Sequence, residues 1–236
     1  MKKKLIFTAV FIFSMIGLWS QEDMRFTVPL IGEKAPSFTA RSTNGNISFP
    51  DDYTGKWKIL FSHPGDFTPI CSSEILELAQ MQSDFDKLNV RLVVVSVDPL
   101  DLHNQWKSAL ESVTYKGKAP ASIKFPLVED VNLNISKAYG MMHFPSGTER
   151  DVRGVYVIDP DNKIRATFFY PMEIGRNLDE IERTVIALQT HDSQQVLTPA
   201  NWQPGDDVFL PYQKDLTKTD PNVYSIAWFM LAKKTN

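Results

Sequence analysis

The only cysteine of this 236-residue chain, Cys71, ends the stretch HPGDFTPIC at residues 63–71. A single thiol has no disulfide partner within the chain, so it is a buried filler, a link between chains or a group kept for its reactivity. Thr68 is a good N-cap and Pro69 suits the first helical position, which makes Cys71 the third. There the positive end of the helix dipole and unpaired N–H groups stabilise a thiolate, the nucleophilic form. The sequence therefore predicts a reactive thiol in a small pocket that a substrate can enter.

The elements that must position this thiol alternate between strands and helices. Continuous apolar runs predict buried strands, at residues 57–63, 91–98 and 124–128. Apolar residues at helical spacing predict helices, from Cys71 to about residue 88 and over residues 100–113, 131–139 and 177–190. Two runs that flank a Pro-Asp-Asn turn predict a hairpin, at residues 152–159 and 163–171. This order predicts an α/β protein with both strand directions in its sheet.

Three local expectations complete the pattern. Prolines and glycines interrupt residues 25–56, which predicts a short hairpin-like lead-in. The helix at 100–113 is expected to turn one apolar face inward, formed by Leu102, Trp106 and Leu110. After residue 199 the chain is rich in turn formers, with one late strand predicted at 224–232. The tail is therefore predicted to be a small second unit of loops and one or two strands.

The amino terminus has the composition of a targeting segment. Three lysines at positions 2–4 precede an uncharged run at residues 5–19, and Ser20 is a candidate cleavage position. Residues 1–20 are interpreted as a secretory signal, which predicts a periplasmic or extracellular protein. The alternatives are a retained membrane anchor, although the run is shorter than the about 17–25 residues that span a bilayer, and a buried helix.

The charge balance argues against nucleic acid as a partner. The chain has 25 lysines and arginines and 28 aspartates and glutamates, a formal net charge of −3. Removal of the lysine-rich start makes the balance more negative still. No cluster of basic residues remains to bind phosphates.

Pro64, Thr68 and Cys71, in the spacing Pro-x-x-x-Thr-x-x-Cys, resemble the peroxidatic motif of the peroxiredoxins, which are thiol peroxidases. The wider stretch FSHPGDFTPICSSE resembles the one-cysteine, peroxiredoxin-6-type subfamily. Further blocks match in the same order, SVDPLDLHNQW (96–106), VRGVYVIDP (152–160) and YPMEIGRNLDEI (170–181). The resemblance implies a thioredoxin-like α/β fold, with a mixed central sheet flanked by helices and a small C-terminal appendage domain.

The resemblance implies four catalytic residues. Cys71 would attack a peroxide oxygen, expel water or an alcohol and become a sulfenic acid. Thr68 would hydrogen-bond the thiolate and the peroxide, and Pro64 would shield the sulfur. Arg153 would stabilise the thiolate and the charge that shifts along the breaking O–O bond. An arginine at a strand start is otherwise a solvated surface charge.

Three further residues are expected to support these four. Arg176 matches a second arginine of the subfamily, and Glu74, one turn after the cysteine, is expected to orient an arginine. The plainer interpretations are a salt-bridge residue for Arg176 and a favourable first-turn acid for Glu74. His63 is expected to be a hydrogen-bonded pocket histidine, because the other histidines, at 103, 143 and 191, lack metal-ligand spacing.

The single cysteine also determines how the catalytic cycle implied by the resemblance would be completed. No second thiol can resolve the sulfenic acid, so an external thiol reductant of unknown identity is expected, with peroxide as substrate and no metal or organic cofactor. A thiol-disulfide oxidoreductase would need a C-x-x-C pair. Residues 50–60 lack the G-x-S-x-G element of a phospholipase. A peroxide-sensing or chaperone-like oligomer remains the alternative function, and a degenerate scaffold is disfavoured by the intact motif.

The predicted organisation has three parts. Residues 1–20 form the signal peptide, 27–192 the thioredoxin-like peroxidase domain and 193–236 a C-terminal dimerisation region. The resemblance implies a homodimer in which this tail packs across the partner, or a higher ring.

Overall fold

The computed structural model describes residues 27–142, 150–212 and 220–235, so the signal predicted at residues 1–20 lies outside the described part. Its centre is a seven-stranded sheet, formed by β1 (Phe38–Ser42), β2 (Gly45–Phe49), β3 (Trp57–Ser62), β4 (Val90–Ser96), β5 (Leu127–Glu129), β6 (Arg153–Ile158) and β7 (Ile164–Tyr170). Helices flank the sheet, namely α1 (Pro69–Lys87), α2 (Leu100–Leu110), α3 (Asn134–Ala138) and α4 (Leu178–Gln194). None of the described helices has the length and apolar character that crossing a bilayer requires.

The sheet contains both strand directions, as predicted. Its strands lie in the order β2-β1-β5-β4-β3-β6-β7. Strands β5, β4 and β3 are parallel, whereas β6 pairs antiparallel with β3, and β7 with β6. The lead-in forms the predicted hairpin, β1 with β2. Because β3 and β6 run in opposite directions, the end of β3 and the start of β6 lie at the same edge of the sheet.

The central strands are buried on both faces, which explains their continuous apolar runs. Alternate residues of β3 point to opposite sides. Ile59 and Phe61 belong to the cluster that includes α1, α2 and α4, and Leu60 packs with Tyr139 and Tyr156 on the other side. Each fully buried side chain of this kind contributes about 1.5–3 kcal/mol. The core therefore fixes β3 and α1, the two elements on either side of residues 63–68.

The inner face of α2 differs from the prediction. Its buried residues are His103, Trp106 and Leu110, whereas Leu102 is only half-buried. The polar ring of His103 is tolerated inside because both of its nitrogens have buried partners. A prediction from apolar spacing places leucine rather than histidine on a buried face. It takes no account of hydrogen-bond partners that are distant in sequence, such as those of His103.

The C-terminal unit was predicted to hold one or two strands and has three in its described part, and the run at 224–232, predicted as a single strand, is a hairpin. Strands β9 (Val223–Ala227) and β10 (Met230–Lys233) pair antiparallel, and β8 (Val208–Phe209) pairs with the other edge of β10. The turn could not be predicted from the sequence, because its residues Trp228 and Phe229 are apolar like the strands on either side. Both side chains are nevertheless exposed, Trp228 to 81% and Phe229 to 55%.

The C-terminal unit is attached to α4. Trp202 and Val208 are buried in a cluster with Ala187 of α4. The guanidinium of Arg183 donates to the carbonyl of Trp202 at 3.1 Å. This contact joins the tail to the helix that packs beside α1.

Candidate active site

Cys71 lies at the third position of a helix that follows a buried strand, as predicted. Strand β3 ends at Ser62, residues 63–68 form a loop, and α1 begins at Pro69. Proline suits this start because its missing N–H would have no partner in the first turn. Cys71, Ile75 and Leu78 recur on one face of α1, and all three are buried. The helix therefore directs the thiol into the protein.

The thiol has no solvent-exposed surface. Cys71 is 0% exposed, whereas Thr68 and Ile70 are half-buried and Phe67 and Pro69 are exposed. The expectation of a small pocket that a substrate can enter is therefore not met in this structure, because the sulfur lies fully inside the protein. The residues just before it reach the surface, and a small molecule can meet the sulfur only if residues around it move.

Arg153 is brought to the thiol by the antiparallel register of β3 and β6, which places the first residue of β6 beside the end of β3. Its Nη1 lies 3.3 Å from Cys71 Sγ and donates to Glu74 Oε2 at 2.8 Å. Its Nε and Nη2 donate to the carbonyl of Met172, at 3.1 and 2.8 Å. The guanidinium is buried and held on two sides. It is not a solvated surface charge.

Glu74, one turn further along α1, binds both arginines. Its Oε2 accepts from Arg153 Nη1 and from Arg176 Nη2, at 2.8 and 2.7 Å. Its Oε1 accepts from the Nε and the backbone N–H of Arg176, at 3.0 and 2.8 Å. The remaining nitrogen of Arg176, Nη1, donates at 2.8 and 3.0 Å to the carbonyls of Ser62 and Gly154. These contacts fit the orienting role expected of Glu74.

The charges of this buried cluster do not cancel. Arg153 and Arg176 remain positively charged under all ordinary conditions, and Glu74 supplies one negative charge. One positive charge is left over beside Cys71 Sγ, 3.3 Å from Arg153 Nη1. A buried charge without a counter-charge is costly. Of the two forms of Cys71, only the thiolate carries the negative charge that would balance this excess.

Thr68 and Pro64 occupy the loop that precedes the helix. Thr68 is the N-cap residue of α1, as predicted, although its side chain makes no capping hydrogen bond to the first turn. Its hydroxyl instead donates to the carbonyl of Gly65 at 2.9 Å. Because its one proton is used there, the hydroxyl oxygen is left to accept a hydrogen bond. Pro64 is buried, and its carbonyl accepts from Arg150 Nη1 at 2.8 Å.

His63 is buried, but the hydrogen bonds expected of it are absent. Neither ring nitrogen has a hydrogen-bond partner within the part of the chain that the structure describes. Its Nε2 lies 3.5 Å from Asp66 Oδ1, and its ring is 5.1 Å from that of Trp106. Burial, followed by the nearby His103 and the two site arginines, holds the pKa of His63 well below 6.5. The ring is therefore neutral.

Sequence reasoning missed two residues next to this site. Asp66 and His103 form a fully buried contact, with 2.7 Å between Asp66 Oδ2 and His103 Nδ1. Trp106, which was expected only to pack, also donates from Nε1 to Ser72 Oγ at 3.2 Å. The block match at residues 96–106 was the available signal for His103. Across the described ranges, no group of His, Cys, Asp and Glu is arranged to hold a metal ion.

We expect Glu74→Gln to destabilise the protein strongly. Loss of this carboxylate leaves two buried guanidinium groups without a counter-charge, and breaking a buried ion pair on one side costs about 3–5 kcal/mol. Urea unfolding measures the effect. The matched control is Glu77→Gln on the same helix, because Glu77 binds the largely exposed Lys116 and Lys118. Equal losses for both variants would contradict the importance of the buried cluster.

Comparison with known families and structures agrees with this geometry. The AhpC/TSA family model matches residues 31–167, and the model of the C-terminal domain of 1-Cys peroxiredoxin matches residues 187–219. A peroxiredoxin of Methanosarcina mazei is 46% identical over 88% of this chain and 98% of its own length. A peroxiredoxin of Aquifex aeolicus is 43% identical over 75% of this chain and 78% of its own length.

Solved structures show the same fold. The yeast mitochondrial 1-Cys peroxiredoxin superimposes with a TM-score of 0.80 at 36% identity, and covers 88% of this chain and 100% of its own. A mutant of the peroxiredoxin 6 of Arenicola marina gives a TM-score of 0.78 at 29% identity, over 88% and 99% of the two chains. The predicted thioredoxin-like fold is confirmed, and the chain belongs to the peroxiredoxin family of thiol-dependent peroxidases.

Proposed function

We propose that this chain reduces hydrogen peroxide and small organic hydroperoxides in a one-cysteine cycle at Cys71. The observation that carries the proposal is the contact of 3.3 Å between Arg153 Nη1 and Cys71 Sγ, within a buried cluster that has one positive charge in excess. The thiolate is the nucleophile in peroxide reduction. A fixed cation at this distance also stabilises the negative charge that passes to the leaving oxygen.

The first step forms one bond and breaks one. The sulfur of Cys71 attacks one peroxide oxygen, the O–O bond breaks, and the released alkoxide or hydroxide takes up a proton to leave as an alcohol or water. Arg153 stays with the sulfur throughout, because Glu74 and the carbonyl of Met172 hold it. Thr68 accepts a hydrogen bond from the O–H of the incoming peroxide, since its own proton is bound to Gly65.

The second half of the cycle uses an external thiol. The sulfenic acid on Cys71 condenses with one thiol to give a mixed disulfide and water, and a second thiol releases the cysteine and the oxidised reductant. One peroxide and two thiols thus yield one alcohol, one water and one disulfide. The thiol of the yeast mitochondrial 1-Cys peroxiredoxin is resolved via glutathione/thioredoxin systems, which supports a reductant of this chemical class here.

The purified chain, supplied with hydrogen peroxide and dithiothreitol, should consume many equivalents of peroxide. Cys71→Ser should abolish turnover, and Arg153→Met should lower its rate by about 10²–10³-fold, the effect of losing one transition-state donor. Arg165→Met is the matched control, because Arg165 lies on β7 and binds Asp192 and Asp159 away from the thiol. Peroxide consumption is followed directly.

Two outcomes contradict the proposal. Turnover that survives in Cys71→Ser would remove the thiol from the reaction. Consumption of a single equivalent of peroxide despite excess thiol would instead identify a peroxide sensor, the alternative function.

We further propose that the chain forms a homodimer, or a higher ring, through its tail from about residue 195. The support is a group of exposed aromatic side chains on the C-terminal unit, in which Trp228 makes edge contacts with Tyr212 and Phe229 at centroid distances of 6.3 and 5.2 Å. Contiguous exposed apolar surface of this kind is typical of interfaces.

Analytical ultracentrifugation tests the assembly. The unmodified chain should sediment as a dimer or larger species, and Trp228→Glu should sediment as a monomer, because a charge at this position disfavours burial. Val131→Glu, at an exposed apolar position away from the tail, is the control and should stay assembled. A monomeric unmodified chain, or an assembled Trp228→Glu variant, would refute the proposed interface.

We also propose that the protein is exported after cleavage of residues 1–20, on the strength of the lysines and the uncharged run at its start. Fractionation of expressing cells, with mass measurement of the recovered chain, should find a form that begins at Gln21 outside the cytoplasm. The full-length mass in the membrane fraction would identify an anchor, and in the cytosolic fraction it would exclude export.

A further inference from the structure

A second buried polar cluster lies behind the loop of residues 63–68. Its centre is the contact between Asp66 on that loop and His103 on α2, both of which have fully buried side chains. The two facing atoms, Asp66 Oδ2 and His103 Nδ1, are 2.7 Å apart. The other ring nitrogen, Nε2, lies 3.2 Å from the carbonyl of Val128 on β5. This pair joins the loop to the sheet through α2, and the peroxide chemistry described above does not use it.

Chemistry fixes the number of protons on the pair. The carbonyl of Val128 can only accept, so Nε2 of His103 carries a proton. The contact between Nδ1 and the carboxylate needs one more proton, which resides on the nitrogen or on Asp66. In both cases the pair is neutral as a whole, as a fully buried site favours. The contact is therefore a stable internal tie rather than a labile surface interaction.

The same loop is tied at two further points. The backbone N–H of Asp66 donates to Asp98 Oδ2 at 2.6 Å, and the carbonyl of Pro64 accepts from Arg150 at 2.8 Å. A side chain at Gly65 would collide with Arg150, since a Cβ at this position would lie 2.1 Å from the Nη1 of that arginine. A side chain here would force this guanidinium, the far end of a flexible side chain, to shift.

The loop also contains a strained residue. Phe67 has φ of 55°, in the left-handed region, although it is not glycine. Such a conformation persists only where the surroundings hold it, and it is commonest at functional sites. Asp66 immediately precedes this residue, and Thr68 immediately follows it. Release of Asp66 would let the backbone at Phe67 relax and would move the hydroxyl of Thr68.

We infer that Asp66 and His103 are positioning residues, which hold Pro64 and Thr68 of the loop in the geometry that receives peroxide at Cys71. This inference rests on the proposed function of Cys71. It states that the loop geometry around the sulfur is set by a pair of residues that does not touch the sulfur. Arg153 and Glu74 are fixed by other contacts. The pair should therefore govern the reaction with peroxide without removing the guanidinium from the thiol.

Two substitutions of His103 separate positioning from mere stability. An asparagine amide reaches the place of Nδ1, so His103→Asn keeps the contact with Asp66 and loses that with Val128. A glutamine amide reaches the place of Nε2, so His103→Gln keeps Val128 and loses Asp66. His103→Gln loses the shorter contact, to a buried carboxylate, so its melting temperature should fall further than that of His103→Asn, and the rates are compared at a temperature at which both variants are folded.

The rate constant for peroxide should separate the two variants. His103→Gln and Asp66→Ala should each lower it by about tenfold or more, because small misplacements of positioning groups have large effects on rate. His103→Asn should lose at most about a third as much as His103→Gln. The double variant Asp66→Ala/His103→Gln should lose no more than the worse single variant, because the two residues act as one unit. Alkylation of Cys71 by iodoacetamide should not slow in any of them.

The control is His191→Gln on α4, whose ring contacts only the carbonyl of Val196 among the hydrogen bonds described, and its rate should be unchanged. The inference would be overturned if His103→Asn and His103→Gln lost equal amounts of rate. It would also be overturned if His103→Gln reacted with peroxide as fast as the unmodified chain. If His103→Gln does not fold, Asp66→Ala decides the question. A rate constant for Asp66→Ala equal to that of the unmodified chain refutes the positioning role. Absence of peroxide turnover in the unmodified chain would contradict the proposed function instead.

Discussion

One excess positive charge, buried beside the sulfur of Cys71, is the constraint on which the site depends. Arg153 and Arg176 share a single carboxylate, Glu74, and all three side chains lie inside the protein. Such an imbalance is stable only if another negative group completes it. Strand β6 supplies one arginine, the segment after β7 the other, and helix α1 both the acid and the thiol. The fold thus brings three separate chain segments together around one ionisable atom, the sulfur of Cys71.

Much of the fold follows from the sequence because the central strands are buried on both faces. Continuous apolar runs marked β3 and β4, and a Pro-Asp-Asn turn marked the hairpin of β6 and β7. Boundaries were less accurate where one residue changed the hydrogen bonding. Strand β5 begins only after Pro126, which has no N–H to give to the sheet. The turn at Trp228 and Phe229 could not be seen, because both residues look like strand interior.

The site was predictable where the chain itself carries the geometry. The place of Cys71 on α1 follows from Thr68 and Pro69, which lie three and two positions before it. The contacts of Glu74 with two arginines depend on sheet register, so only the block resemblance could suggest them. Burial of the thiol comes from three-dimensional packing, as does the lack of a hydrogen-bond partner for the His63 ring among the described residues. Neither feature can be predicted from the spacing of residues along the chain.

The order of these segments along the chain has a consequence for biosynthesis. Cys71 and Arg153 meet although 82 positions separate them, and they meet only when β3 and β6 pair. A nascent or unfolded chain thus carries an unassisted thiol, far from any fixed guanidinium. The contact between Arg153 and the thiol therefore arises together with the completed sheet, because one strand register creates both.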